Sequence, residues 1–221
     1  MKLRYNIIST VFAVLGLTLI WGAWNVSHNS ECLPAPGVEA GTESMQSIRY
    51  RCYGGPEVLQ LEAVAKPSPG PGDVLIRVTA AGVNPLDWHY MRGEPYIMRM
   101  MGAGTGTPSS FELGADFAGR VERVGADVTE YKPGDRVFGG AWGTFGEYVM
   151  RGEDGAFVPT PDNLSDEQAA GVGVAALTAL QALRDIAKVK PGQKVLINGA
   201  SGGVGTFAVQ LAKAMGLEVH G

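Results

Sequence analysis

The sequence is poor in cysteine, histidine and charge. Only two cysteines, Cys32 and Cys52, stand in 221 residues, too few for a disulfide framework or a four-ligand zinc knot. Charged residues make up 18% of the chain, and 18 Lys+Arg against 22 Asp+Glu leave a net charge of −4 with no basic block. Phosphate binding along a polynucleotide needs clustered Lys and Arg, so a nucleic-acid partner is excluded. Internal repeats of 20–50 residues are also lacking, which excludes solenoids and propellers. Glycine (32) and proline (13) are plentiful but show no Gly-X-Y period, so collagen is excluded. A hydrophobic content of 45% argues for a globular core over wholesale disorder.

Residues 1–44 read as a separate unit. Lys2 and Arg4 precede a stretch without charge that lasts until Glu31, and Ile7 to Trp24 is apolar apart from Ser9, Thr10 and Thr18. A helix of that length rises about 27 Å, close to the thickness of a bilayer's hydrocarbon core. Trp21 and Trp24 stand at its far end, where aromatic side chains favour the membrane interface. The working expectation is one N-terminal transmembrane helix acting as an uncleaved anchor. A cleaved secretory signal is the rival, though bulky Trp24 stands where small residues are wanted; Met45 is a second plausible initiator. The basic start and the acidic residues Glu31, Glu39 and Glu43 predict export of the chain beyond the helix. Residues 31–44, with Pro34, Pro36 and Gly37, read as a tether. His28 and Cys32, four apart, lack a third metal ligand.

From Met45 to about residue 165 the pattern is one of short strands and Gly/Pro turns. Ser47–Cys52 alternates at period two before the Gly54-Gly55-Pro56 turn, and Gly70-Pro71-Gly72-Asp73 introduces Val74–Val78. Phe117–Val124 and Asp135–Phe138 read as further strands around the Lys132-Pro133-Gly134 turn. Many short strands at this spacing predict an antiparallel barrel or sandwich. Cys52 reads as a small buried residue of the first strand.

Residues 166–221 read as the beginning of a doubly wound α/β sheet. Ser165 and Gln168 form a capping box, and after Gly171–Gly173 the spacing predicts a helix over Ala175–Ile186. Lys194–Asn198 is an apolar strand of the kind buried in a parallel sheet. Gly199-Ala200-Ser201-Gly202-Gly203-Val204-Gly205 comes next, then a helix whose inner face carries Val204, Ala208, Leu211 and Met215. Leu217–His220 starts another strand. Strand, glycine-rich turn, helix and strand form the context of a dinucleotide fingerprint. Glycines 199 and 202 allow a tight turn and bring backbone N–H groups against a pyrophosphate. The helix aims its positive end at that charge, and Gly205 permits close helix–strand packing. The residue that sorts NAD from NADP lies about twenty positions after such a motif. The sequence stops at Gly221 before reaching it, and the expectation is an amino-terminal fragment of a longer protein.

Residues 45–221 resemble the medium-chain dehydrogenase/reductases, in particular their zinc-independent quinone oxidoreductase (zeta-crystallin-like) branch. The resemblance rests on Ala81–Asp87, Gly114–Gly119, Lys132–Val137, Gly143–Tyr148 and Leu177–Gln181. It is strongest in the run from Gly192-Gln193 through Ala200–Gly203, Gly205 and Gln210 to Lys213. It implies a GroES-like domain over 45–165 and the start of an NAD(P)-binding Rossmann domain over 166–221, with substrate and nicotinamide meeting between them. Zinc-dependent relatives carry a cysteine where Asn84 stands and a His-Glu pair where Ala115-Asp116 stands, so no metal and no zinc are expected. The implied function is NAD(P)H-dependent reduction of quinones or α,β-unsaturated carbonyls by hydride transfer, with NADP(H) favoured over NAD(H). The alternatives are an enoyl-thioester reductase or a non-catalytic NAD(P)H-binding protein.

By the same resemblance Asn84 positions the nicotinamide ribose or the substrate, Thr178 approaches the nicotinamide, and Gly199, Ala200, Ser201, Gly202, Gly203, Val204 and Gly205 hold the rest of the cofactor. Tyr90 and Tyr96 are the candidate catalytic hydrogen-bond donors, with His89 a rival for the first position, and Asp87 is structural. Ile97-Met98-Arg99-Met100-Met101, with glycines after it, is either an adaptable apolar lid or a segment packed against the barrel or a membrane. The implied partners are a small hydrophobic quinone or carbonyl acceptor, the membrane through the N-terminal helix and, by analogy, a second copy in a homodimer. A nicotinamide reductase draws on cytosolic cofactor, which opposes the charge rule on the side of the membrane that the domain faces.

Overall fold

The computed structural model describes residues 2–221, with side chains from Thr10 onward. The side chains of Lys2 and Arg4 therefore lie outside the described residues. Helix α1 (Lys2–Ser27) carries no acidic residue in its first turn and no basic residue in its last. From Thr10 to Ser27 it is long and apolar enough to cross a bilayer, and none of that stretch is buried. By length and composition alone, a signal sequence meets the same description.

Residues 28–33, which include the start of the expected tether, lie against the globular part. Ser30 N donates to Gly106 O at 3.0 Å and Leu33 N donates to Arg51 O at 3.4 Å. Cys32 is joined to Cys52 by a disulfide, so Cys52 is buried as half of a cross-link and not as a lone small residue. His28 stacks on Trp24 just past the helix.

Strands β1 (Ser44–Tyr50) and β2 (Leu59–Ala65) pair antiparallel, Ser47 opposite Glu62. β1 begins earlier than its alternation suggests, and β2 escapes the sequence pattern, since its outward residues are apolar and blur the period-two signal. Just past β1, Arg51 forms a two-point ion pair with Glu62 of β2 at 2.8 and 2.6 Å, both side chains nearly buried. The main sheet has order β6-β3-β4-β5-β7, from β3 (Asp73–Gly82), β4 (Asp116–Val124), β5 (Arg136–Gly140), β6 (Tyr148–Gly152) and β7 (Phe157–Pro159). All its neighbours run antiparallel. Val74, Ile76, Phe117, Val121 and Val137 fill its core. Complete burial of side chains this size contributes roughly 1.5–3 kcal/mol each before entropy is counted. The expected all-β unit is therefore one five-stranded antiparallel sheet plus a hairpin.

Two elements interrupt it. Helix α2 (Pro85–Arg92) starts with proline at its first position and ends at Gly93 in the left-handed region, φ 63°. A polar sequence with little periodicity hides its length. The methionine segment Arg99–Ala103 forms a wide π-helical turn.

Beyond β7, the Ser165/Gln168 capping box opens α3 (Asp166–Ala170). Helix α4 (Gly173–Leu180) runs into a π-helical turn over Gln181–Ile186, so the helix begins two residues before the expected Ala175. β8 (Lys194–Leu196) pairs parallel with β9 (Glu218–His220), and α5 (Gly203–Ala214) connects them. The regular strand is shorter than Lys194–Asn198, although Ile197 N still reaches His220 O at 2.8 Å. On α5 the buried residues are Gly205, Ala208 and Ala212. Leu211 and Met215 pack beside Leu183 and Leu217, while Val204 is exposed.

α3 and α4 hold this second part to the sheet. Ala169 and Ala170 pack on Ala118 of β4. A side chain at Gly82 would come within 2.5 Å of Ala170 O, and one at Gly173 would collide with Asp116 Oδ1. Both glycines permit a backbone approach that any Cβ forbids, and overpacking of this kind costs about 1–3 kcal/mol. Gly173→Ala should therefore lower the melting temperature by roughly 2–10 °C, read by circular dichroism. An unchanged melting temperature would mean that Asp116 can move aside freely.

Candidate active site

The site is assembled where α2, α4 and α5 begin. β3 ends at Gly82, and Asn84 caps α2. Asn84 N donates to Asp87 Oδ2 at 2.7 Å, and Gly114 N donates to Asp87 Oδ1 at 3.0 Å. Asp87 thus ties the start of α2 to the segment leading into β4, the structural role expected of it. Burial raises its pKa, and the bonds from Asn84 and Gly114 oppose that shift.

Asp116, at the start of β4, is 2% exposed. Its Oδ2 accepts from Asn84 Nδ2 at 3.0 Å, and its Oδ1 accepts from Val174 N at 2.8 Å in the first turn of α4. One carboxylate therefore links the barrel-side helix α2 to the helix that leads into the nucleotide fold. Burial raises its pKa, the bonds from Asn84 and Val174 pull it back, and the nearby charge of Asp87 raises it further. Accepting from an amide at a helix start favours the charged form.

Opposite stands the glycine turn. Gly199 takes φ 73°, a conformation that side chains rarely adopt, and Gly202 N closes the turn onto Gly199 O at 3.0 Å. A side chain at Gly205 would run into Gly199 O, so Gly205 lets α5 sit directly on the turn. No side chain caps α5 at Gly202, and the first amides of a helix have no acceptor within it. Added side-chain atoms at Gly199 or Gly203 would meet nothing within 4 Å. The result is an open cradle of backbone N–H groups at the positive end of a 12-residue helix, a surface suited to phosphate.

Cradle and barrel-side residues enclose a cavity of about 510 Å³, lined by Asn84, Pro85, Leu86, Val174, Ala175, Ile197, Asn198, Gly199, Gly202–Gly205 and Ala208. Of the residues expected at the site, it brings together Asn84, Gly199, Gly202, Gly203, Val204 and Gly205. Ala200 and Ser201 lie in the turn but do not line it. Thr178 stands one turn beyond Val174, its hydroxyl donating to Val174 O at 2.6 Å. Tyr90, half-buried, meets Trp142 edge-on at 4.8 Å. Tyr96 is exposed and lies 4.9 Å from the Arg99 guanidinium. Neither tyrosine lines the cavity. His89 Nδ1 lies 2.6 Å from Glu94 O.

Sequence reasoning misses Leu86, Val174 and Ala175 as walls, and it misses Asp116 as the link between α2 and α4. A carboxylate at the head of the uncharged run Phe117-Ala118-Gly119 is the available signal. Among the described residues, no group of three or more His, Cys, Asp or Glu is placed to hold a metal ion. At the positions compared with zinc enzymes, Ala115 offers no ligand and Asn84 gives its amide N–H to Asp116.

The family described as alcohol dehydrogenase GroES-like domain matches residues 70–191. A quinone oxidoreductase of Sus scrofa is 42% identical over 184 residues, covering 82% of this chain and 53% of that protein. The crystal structure of the CurK enoyl reductase superposes with a TM-score of 0.74 at 28% identity, covering 80% of this chain and 53% of that one. A mycobacterial protein complexed with NADPH superposes with a TM-score of 0.67 at 32% identity, covering 80% and 51%. The chain thus spans about half the length of the relatives it matches. With its cavity set between a GroES-like sheet and a glycine turn, the chain belongs to the alcohol dehydrogenase GroES-like family and has the medium-chain dehydrogenase/reductase fold.

Proposed function

We propose that this chain belongs to a zinc-independent, NADPH-dependent oxidoreductase that reduces quinones or α,β-unsaturated carbonyls. The observation that carries this reading is the cavity in which the uncapped N-terminus of α5 faces Asn84 and Leu86. The residues fit a dinucleotide: Gly199–Gly205 would hold the pyrophosphate on backbone N–H groups, and Asn84, Val174 and Thr178 would flank the nicotinamide. The mycobacterial structure with NADPH supports NADP(H) over NAD(H).

When bound, a dihydronicotinamide supplies a hydride, which leaves negative charge on the acceptor oxygen. That oxygen then needs hydrogen-bond donors and a proton, and no metal is required if the acceptor is already polarised. Tyr90 and Tyr96 are the proposed donors, one on α2 and one just after it. Asp116 acts as a positioning residue by fixing the Asn84 amide. Leu86, Val174 and Ala175 give the pocket apolar walls suited to a flat hydrophobic acceptor. An enoyl-thioester substrate is the second reading, supported by the similarity to the CurK enoyl reductase.

A single-pass anchor through α1 is part of the proposal. It is supported by the length and apolar character of Thr10–Ser27 and by the exposure of that stretch. Thiol-specific alkylation in intact cells separates the two sides of the bilayer. A protected Cys32–Cys52 pair puts the domain on the oxidising face, as the basic start also favours. Two free thiols put it on the cytosolic face, where nicotinamide cofactors are supplied.

The full-length protein should oxidise NADPH faster than NADH in the presence of quinones or enones, with turnover unchanged by a chelator. Cofactor binding without turnover on any acceptor would favour a non-catalytic role, and no binding at all would remove the cofactor assignment. Tyr90→Phe and Tyr96→Phe should each reduce kcat by about a hundredfold while leaving NADPH affinity intact. An unchanged kcat would take that tyrosine out of the mechanism.

A further inference from the structure

The segment after α2 carries a feature that the nicotinamide chemistry does not use. Residues 95–111 contain a single charged residue, Arg99, and Arg99 is 3% exposed. The side chains around it point outward instead: Ile97 is 55% exposed, Met100 67% and Met101 81%. Clustered exposure of large apolar side chains on a loop with no exposed charge marks an interaction surface.

Arg99 determines where this surface lies. Its guanidinium donates to Val26 O at 3.0 Å, to His28 O at 3.1 Å and to Asn29 Oδ1 at 2.8 Å. It also donates back to Gly93 O and Arg92 O at 2.8 and 3.2 Å, and it lies 4.1 Å from the Tyr53 ring. Ser30 N reaches Gly106 O on the far side of the loop. One buried cation therefore takes the last carbonyls of the apolar helix α1 and the end of α2 together. A cation at the end of a helix also meets the negative end of its dipole. The loop is thereby held level with the end of α1, where Trp21 and Trp24 are exposed.

We propose that the loop 96–101 is a second membrane contact, seating Ile97, Met100 and Met101 in the interface between headgroups and acyl chains of the bilayer that α1 enters. The occupant of this surface is lipid. The Arg99 bonds tie the loop to the end of the apolar helix α1 and deny it an independent position. Flexible, unbranched methionines suit a disordered acyl boundary, and shallow insertion of an apolar face is how interfacial segments bind. Helix α2, eight residues long, spans only about 12 Å between Asn84 at the cavity and this loop. A lipid-soluble acceptor would thus have a short path from the bilayer to the site. The inference rests on the anchor reading of α1.

Spin labels on the full chain in phosphatidylcholine vesicles test it. With Cys32 and Cys52 kept paired, Leu17→Cys, Met101→Cys and Lys132→Cys each offer one labelling position, the last on a turn of the main domain. Relaxation by oxygen, which concentrates in the bilayer, is compared with relaxation by a water-soluble nickel chelate. The expected order is oxygen dominant at 17, oxygen still favoured at 101 and nickel dominant at 132. A label at 101 that behaves like 132 while 17 remains deep overturns the membrane contact and leaves the anchor standing, with a lid or a protein partner in its place. A label at 17 in water removes the anchor and the loop contact with it.

Discussion

Asp116 is the constraint on which the site depends. A buried carboxylate is stable only where strong donors replace water, and here the replacements come from two different parts of the chain, the Asn84 amide and the Val174 backbone N–H. Satisfying the charge therefore requires the start of α2 and the start of α4 to come together, which sets the walls of the cavity. Gly173 is bound by the same requirement, because a side chain there would occupy the carboxylate's place. Asp87 repeats the device one layer away, capping Asn84 N and holding Gly114. The nearby charge of Asp87 raises the cost of ionising Asp116. That cost is acceptable because each carboxylate accepts bonds from backbone amides that would otherwise be buried without partners.

Legibility in the sequence divides along a physical line. The glycine turn is legible because each of its glycines answers a local need: left-handed backbone at 199, close approach at 205. The capping box at Ser165 and the strands around Phe117 and Val137 are legible for the same reason, since caps and period-two alternation are written into neighbouring residues. Strand β2 is not, because Leu59 and Leu61 face outward and spoil the alternation. The pairing of Cys32 with Cys52 is invisible because it depends on a contact between segments that no local pattern joins. The same holds for Arg99. In the sequence it is one basic residue among methionines, and only the carbonyls of α1 show what it binds.

Asn84 and Asp116 bond to each other. The Asn84 amide N–H is committed as a donor to Asp116, which fixes Asn84 as one wall of the cavity.

The two tyrosines separate into different environments, and this bears on how the acceptor is held. Tyr90 is fixed against Trp142 and the cluster around Tyr50 and Met91, so its hydroxyl moves only as α2 moves. Tyr96 lies over the Arg99 guanidinium, on the loop that Arg99 stitches to the end of α1. Tyr96 is therefore coupled to the N-terminal helix, while Tyr90 is coupled to the core. If both donors serve one oxyanion, its geometry depends on the docking of residues 26–30 as well as on the catalytic domain. The N-terminal segment then acts as part of the site's support, and the disulfide next to it limits how far that support can drift.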